Sequence, residues 1–177
     1  MPGSIVIPVG QFTASVMLSA NADVLNEFAE TVIIDIDTIS NGTESGTQTA
    51  IVTIIDNDVV PSVALSIAGS TLIAENGGTT TVLVSLSAVS GKTVTVTIVP
   101  NPLNVPKNNI DYAFSATTLT MTEGIPSASI TLTALADLLD EVNEDVVIDI
   151  DTVDNTIELG EQQQTVTIDD GNLPPTV

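Results

Sequence analysis

The sequence predicts an all-β protein, and three observations carry this prediction. Val, Ile and Thr are abundant, and β-branched residues favour strands over helices. Apolar and polar residues alternate along most of the chain, which is the period of a strand with one buried face. Turn-forming Gly, Pro and Asn residues separate these alternating segments at short intervals. With 43% hydrophobic residues, the chain is apolar enough to bury a core.

Taken in order, the alternation and the turn residues predict eight strands from residue 63 onward. They cover residues 63–67, 71–75, 80–87, 93–99, 117–122, 127–133, 145–152 and 165–169. Residues 100–109 form a loop rich in Pro and Asn. Short strands at this spacing over about 110 residues are typical of an immunoglobulin-like antiparallel β-sandwich. An apolar period of two nearly everywhere excludes a helical fold.

An internal repeat divides the chain. Residues 136–152 (ADLLDEVNEDVVIDIDT) return to the pattern of residues 22–38 (ADVLNEFAETVIIDIDT), 114 positions earlier. At this offset, residues 4–58 align with residues 118–172 without a gap and share 24 of 55 residues. The spacing is that of tandem modules, too long for a solenoid unit. We therefore predict the C-terminal half of one module at 1–58, a linker at 59–62, a complete module at 63–172, and a tail or second linker at 173–177.

The half-module has two explanations. Residues 63–117 have no counterpart upstream, so residues 4–58 supply only the last four strands of a sandwich, beginning with residues 5–9. The chain is either a piece of a longer array or a subunit whose missing strands come from another molecule by strand complementation. The second explanation predicts a homo-oligomer.

Charge restricts the partners. The chain carries 23 acidic and 2 basic residues, a net charge of −21. Such a charge repels nucleic acids and anionic lipids, so we expect neither as a partner. No stretch is apolar enough for a transmembrane helix, and no signal peptide is visible at the N-terminus. His and Cys are absent, so oxygen ligands remain, and these suit Ca²⁺ or Mg²⁺.

Several motifs resemble the Calx-β family. The stretches DLLDEVNEDVVIDI and DVLNEFAETVIIDI resemble the family's acidic loop, D-x-x-x-E-x-x-E, which runs into a strand. The strand ends TIIDND and TIDDGN resemble its closing T-I-x-D-x-D motif. Asp111-Tyr112 matches a D-Y pair, and Ala74-Glu75-Asn76-Gly77 matches an early glutamate turn. The resemblance covers one complete module and one half, and it implies Calx-β sandwiches, many of which bind Ca²⁺.

The resemblance also implies a set of calcium ligands at one end of the complete module. They are Glu75, Asp111, Asp137, Glu141, Asp169 and Asp170, with further oxygens from Asp140 and Asn172. A secondary set in the half-module comprises Asp23, Glu27, Asp56 and Asp58. We expect Glu144, at the base of the strand, to brace the loop instead. The open alternative is that these carboxylates are simply solvated.

The sequence therefore predicts a non-enzymatic, calcium-binding module of an extracellular or cell-surface repeat protein. Calcium at the strand ends would stiffen the junctions with neighbouring modules of the same or an identical chain, for adhesion, matrix or filament structure. The alternative is a fibre subunit that assembles by strand complementation. A hydrolase using two carboxylates is disfavoured, because the chain has neither Trp nor His for a sugar cleft.

Overall fold

A computed structural model of the chain describes residues 3–101 and 110–171, which contain strands and no helix. The strands are β1 (Glu30–Asp35), β2 (Thr49–Ile54), β3 (Ser62–Ala68), β4 (Leu72–Ala74), β5 (Thr79–Leu86), β6 (Val94–Pro100), β7 (Tyr112–Phe114), β8 (Thr118–Met121), β9 (Ser127–Ala134), β10 (Glu144–Asp154), β11 (Ile157–Glu158) and β12 (Gln164–Asp169). The predicted all-β class is confirmed.

Strands β3 to β12 form two five-stranded sheets that pack as a sandwich. One sheet has the order β4-β12-β10-β6-β8, and the other has the order β11-β3-β5-β9-β7. Most neighbours are antiparallel, as predicted, but β4 pairs with β12 in parallel and β11 pairs with β3 in parallel. The parallel pair β4–β12 matters for the site, because parallel strands end at the same edge of a sheet.

The core lies between the two sheets and is made of the apolar side chains that the alternation singled out. In β10, Val146 and Ile148 are fully buried, whereas the preceding Asp145 lies on the exposed outer face. In β5, Val82 and Val84 are fully buried in the same way. Tyr112 adds a buried ring, packed edge-on against Phe114 at 5.7 Å between centroids.

The structure adds two strands that the sequence analysis missed. Strand β7 has three residues and β11 has two. Alternation cannot be recognised over so few residues, and both strands exist because a longer strand, β9 or β3, offers hydrogen bonds beside them. The predicted loop at 100–109 lies mostly outside the described residues.

By its internal contacts the chain forms two compact units. The first comprises Met1–Val24 and Glu30–Ile54, and the second comprises Leu25–Ala29 and Ile55–Val177. In the first unit, β1 and β2 form a two-stranded antiparallel sheet. Its apolar side chains are largely exposed, for example Ile33 at 63% and Ile51 at 68%.

The prediction of a strand at residues 5–9 is wrong, since these residues form no strand in the structure. The equivalent strand of the sandwich, β8, pairs with β6. The first repeat contains no counterpart of β6, so the backbone groups of residues 5–9 have no neighbouring strand to bond. Two of the four strands expected from the half-module, β1 and β2, are formed.

The predicted sequence repeat recurs in the backbone. The pair Glu30↔Ile54 opens the β1–β2 ladder, and the pair Glu144↔Ile168, 114 residues later, opens the β10–β12 ladder. Asn41 and Asn155 are also equivalent, and both have a positive φ, of 57° and 58°. Two stretches of similar sequence therefore take the same local structure, although the core around them differs.

Candidate metal centre

Four separate chain segments bring acidic residues to one end of the sandwich. Because β4 and β12 run in parallel, their C-terminal ends coincide, and the Glu75 amide donates to the Asp169 carbonyl at 3.0 Å. Asp111 precedes β7, and its carbonyl accepts from the Leu135 amide at 2.8 Å. That bond places Asp111 beside the start of the β9–β10 loop, residues 135–143, which we call the acidic loop.

Carboxylates shape the acidic loop by accepting backbone hydrogen bonds. The Asp137 amide donates to Glu75 Oε1 at 3.1 Å, and the Leu139 amide donates to Asp137 Oδ1 at 2.7 Å. Farther along, the Glu141 amide donates to Asp170 Oδ2 at 2.8 Å. The carboxylates of Glu75 and Asp170 therefore hold the two halves of the loop against the sandwich.

A small pocket opens where these segments meet. It is lined by Glu75, Asp111, Glu141, Val142, Glu144, Ile168 and Asp170. Four of the predicted ligands therefore share one pocket, together with Glu144, which the sequence analysis took for a brace. Within this pocket the apolar side chains of Val142 and Ile168 accompany five carboxylates.

The electrostatics of the pocket favour a positive partner. Partial burial and then the surrounding charges of Asp111, Glu141, Glu75 and Asp137 raise the pKa of Glu144. Desolvation also raises the pKa of Glu75, helped by a side-chain hydrogen bond and the charge of Asp170, although the Asp137 amide opposes this rise. Two carboxylates are thus held where their negative charge is unfavourable, and a bound cation would relieve this repulsion.

The predicted ligands are gathered but not fully converged. In residues 3–101 and 110–171, no group of three or more acidic side chains is arranged so that it could hold a metal ion as it stands. Asp137 contributes through its hydrogen bond to Glu75, whereas Asp140 and Asp169 do not line the pocket. Asn172 lies outside the described residues. The donor set is nevertheless all oxygen and anionic, which fits Ca²⁺.

The secondary set belongs to the part of the first repeat that corresponds to the pocket. Three of its four residues lie together, where Leu25–Ala29 meet the segment after β2. The Glu27 amide donates to Asp56 Oδ2 at 3.0 Å, and the Asp58 amide donates to Asp56 Oδ1 at 3.2 Å. Asp23 is exposed and belongs to the other unit. The sequence analysis missed Asn26 and Lys92, which also lie at this end, where Lys92 Nζ donates to Asn26 Oδ1 at 2.9 Å. The signal was Asn26 itself, which replaces the Asp140 of the second repeat.

Solved structures of similar fold include Calx domains. The chain superposes on the apo-form of the Calx CBD1 domain with a TM-score of 0.55 and 16% identity, over 64% of this chain and 100% of that one. It superposes on CBD12 from CALX1.2 with a TM-score of 0.53 and 16% identity, over 62% of this chain and 44% of that one. This chain therefore spans less than half of that second structure. Similarity at this level shows a shared fold, and the predicted Calx-β resemblance is confirmed for the fold.

No protein-family model matches the sequence, and no curated protein matches it either. Within the part of the chain that the structure describes, no helix could cross a lipid bilayer.

Proposed function

We propose that the chain is a non-enzymatic, calcium-binding β-sandwich module, and that its calcium site is the acidic pocket at the C-terminal ends of β4 and β12. The observation that carries the proposal is the gathering of Glu75, Asp111, Glu141, Glu144 and Asp170 around one pocket. Calcium binds six to eight oxygens and accepts both carboxylates and carbonyls. Without a cation, the same carboxylates repel one another, as the raised pKa values of Glu75 and Glu144 indicate.

The residues of this chain give the ion a defined task. Glu75, Asp111 and Asp170 project from the body of the sandwich, whereas Glu141 projects from the acidic loop, whose Leu138 is 94% exposed. A bound calcium ion supplies two positive charges that neutralise these carboxylates. It would therefore draw the Glu141 carboxylate toward the carboxylates of the sandwich and complete the convergence of the ligands around one ion.

The position of the pocket suggests the role of the module. Asp169 ends β12, the last strand of the described residues, and the next residue, Asp170, lines the pocket. An ion bound beside this strand end would stiffen the junction to a following module of the same or an identical chain. The resemblance and the acidic surface, with a net charge of −21, support an extracellular or cell-surface protein used in adhesion or in matrix or filament structure.

Calorimetric titration tests the site. We expect the wild-type chain to bind Ca²⁺ with measurable heat and to melt at a higher temperature in calcium than in EDTA, because the ion binds only the folded state. The double variant Glu141→Gln, Asp170→Asn keeps the size of both side chains and removes two charges, so it should lose both effects. The matched control Asp149→Asn, Asp151→Asn also removes two charges, but on β10 away from the pocket, and should behave like the wild type. Equal loss in both double variants, or no heat in the wild type, would refute the site.

A second candidate function is assembly by strand complementation. The β1–β2 sheet carries exposed apolar side chains, including Ile33 and Ile51, and in the described residues β1 pairs only with β2. Its equivalent, β10, pairs with β6 as well as with β12. A strand from another molecule would complete the sheet. Sedimentation separates the two cases: an assembling subunit gives oligomers that grow with concentration, whereas a monomer at all concentrations would exclude this function.

A further inference from the structure

Each repeat has a cluster of acidic residues at one end, which we call its acidic end. The two acidic ends consist of equivalent residues, except that one residue differs in a way that changes the hydrogen bonds. The Glu27 amide donates to Asp56 at 3.0 Å, and the equivalent Glu141 amide donates to Asp170 at 2.8 Å. Beside this shared hydrogen bond, the first repeat has Asn26 where the second has Asp140. An amide both donates and accepts, whereas an ionised carboxylate only accepts. The two ends therefore have different needs for positive charge.

Asn26 uses both functions of its amide. It is only 5% exposed, and its Nδ2 donates to Asp56 Oδ2 at 2.9 Å and to the Asp58 carbonyl at 3.2 Å. Its Oδ1 accepts from Lys92 Nζ at 2.9 Å. A buried side chain thus links the acidic residues on one side to an ammonium group on the other. A carboxylate in place of Asn26 would lose the two donated bonds and add a charge next to Asp56.

The turn between β5 and β6 presents Lys92 to this end. The Gly91 amide donates to the Asn26 carbonyl at 3.1 Å, and the Lys92 amide donates to Ser90 Oγ at 3.0 Å. A Cβ on Gly91 would lie 2.5 Å from Cγ of Glu27, so a larger residue here would force the Glu27 side chain to move. Lys92 Nζ also lies 4.8 Å from the centre of the Phe28 ring, a distance at which the ring attracts a cation.

The charge of Lys92 acts on the carboxylate behind Asn26. Desolvation would raise the pKa of Asp56, but hydrogen bonds from Glu27 and Asp58 and the charge of Lys92 together hold that pKa below its ordinary value. This is the opposite of the pocket in the second repeat, where neighbouring charges raise the pKa values of Glu75 and Glu144. The first end is thus balanced by a cation of the chain itself, the ammonium group of Lys92.

We propose that the ammonium group of Lys92 is the resident counter-ion of the first acidic end, where it takes the place of a metal ion. The end formed by Asn26, Glu27, Asp56 and Asp58 is therefore closed without calcium. In the second repeat, Val142 replaces Phe28, so the ring contact with an ammonium group is absent there, and Asp140 replaces Asn26 and has no side-chain N–H to donate to the neighbouring acidic residues. Glu27, Asp56 and Asp58 of the secondary set are thus neutralised by a lysine instead of a metal ion, and calcium binds at the other acidic end.

Amide hydrogen exchange tests this assignment, because the Glu27 and Gly91 amides both donate hydrogen bonds within the closed end. The measurements use the full chain carrying Glu141→Gln and Asp170→Asn, so that calcium binding in the second repeat does not interfere. In EDTA, we expect Lys92→Met to accelerate exchange at these two amides by about tenfold or more, as loss of a charged hydrogen bond implies. Lys107→Met removes the same charge and should change neither rate. Unchanged exchange in Lys92→Met would overturn the proposal.

Calcium then distinguishes a counter-ion from a simple hydrogen-bond donor. Millimolar Ca²⁺ should restore slow exchange in Lys92→Met, since a metal ion can replace the lost charge, and should leave the parent chain unchanged. Failure to restore exchange, or further protection of the parent by calcium, would each refute the counter-ion role. Slow exchange at Val82 and Leu132 in the core reports that the variant is folded.

Phe28→Leu offers a milder second variant and should accelerate exchange at the Glu27 and Gly91 amides severalfold, because it removes the aromatic ring beneath the ammonium group.

Discussion

At the scale of single residues, the two acidic ends differ by one substitution that changes which hydrogen bonds their acidic residues receive. Asn26 supplies two donors to its acidic neighbours, whereas Asp140 supplies none. The carboxylates of both ends were named from the sequence through their resemblance to the family's motifs, and their role as metal ligands stays a prediction. The sequence did not identify Lys92, because the contact joins residues 66 positions apart and depends on how the β5–β6 turn lies.

The raised pKa values of Glu75 and Glu144 predict an unusual pH dependence. Each group binds a proton more tightly in the folded module than in the unfolded chain, where its pKa is about 4.5. Stability in EDTA should therefore rise as the pH falls from 7 toward about 5, and it should be lost as the pH rises through the folded-state pKa values. The lowered pKa of Asp56 acts only at more acidic pH.

Thermal melts in EDTA at pH 5 and pH 7 check this dependence. The variant Glu75→Gln, Glu144→Gln should melt at nearly the same temperature at both values and should be more stable than the wild type at pH 7. A wild-type chain that is less stable at pH 5 than at pH 7 would contradict the assignment of these two groups.

The hydroxyl of Thr80 predicts a stabilising substitution. Thr80 is 5% exposed, and its Oγ1 has no hydrogen-bond partner among the residues that the structure describes. Burying an unsatisfied hydroxyl costs about 1–3 kcal/mol, so Thr80→Val should raise the free energy of unfolding by about 1 kcal/mol. Ser90 is similarly buried but accepts the Lys92 amide, so Ser90→Ala should lower that free energy instead. Urea denaturation measures both, and destabilisation by Thr80→Val would show that its hydroxyl is satisfied.

At the scale of elements, strands were predicted correctly where the alternation of apolar and polar residues is long. The prediction failed where a segment needs a partner strand in order to form a strand. Strand β10 has 11 residues, and its alternating Val146, Ile148 and Ile150 are all buried in the core. Residues 5–9 have a suitable composition, yet they form no strand, because the first repeat has no equivalent of β6. Composition gives a segment the capacity to be a strand, whereas a neighbour with free hydrogen-bonding groups makes it one.

The comparison of β10 with its equivalent β1 predicts that the same substitution at equivalent positions changes the free energy of unfolding by different amounts. Ile148 in β10 is fully buried, whereas the equivalent Ile34 in β1 is only half-buried. Ile148→Ala should cost about 2–5 kcal/mol, the range for a large core side chain, and Ile34→Ala should cost less than half as much. Urea denaturation of both variants measures this difference. Equal losses would mean that β1 is packed as tightly as β10.

At the scale of the whole molecule, the repeat was the most informative part of the sequence. The offset of 114 residues predicted which ladders correspond, and β1–β2 and β10–β12 share the same register. The parallel edge pairs could not be predicted, because strand direction at a sheet edge depends on the course of distant loops. The order of the acidic segments around the pocket follows from those edge pairs, so the sequence could suggest candidate residues for the site but not their geometry.

The parallel pairing of β4 with β12 also bears on how the module would carry a tensile load. Leu72 at the start of β4 lies beside Thr167, and Ala74 lies beside Asp169 at the end of β12. Traction on the chain before β4 and after β12 pulls these two strands past each other along their length. Their hydrogen bonds are then sheared together instead of being opened one at a time, so this edge resists stretching cooperatively. An array of such modules would hold its length under force until whole ladders give way.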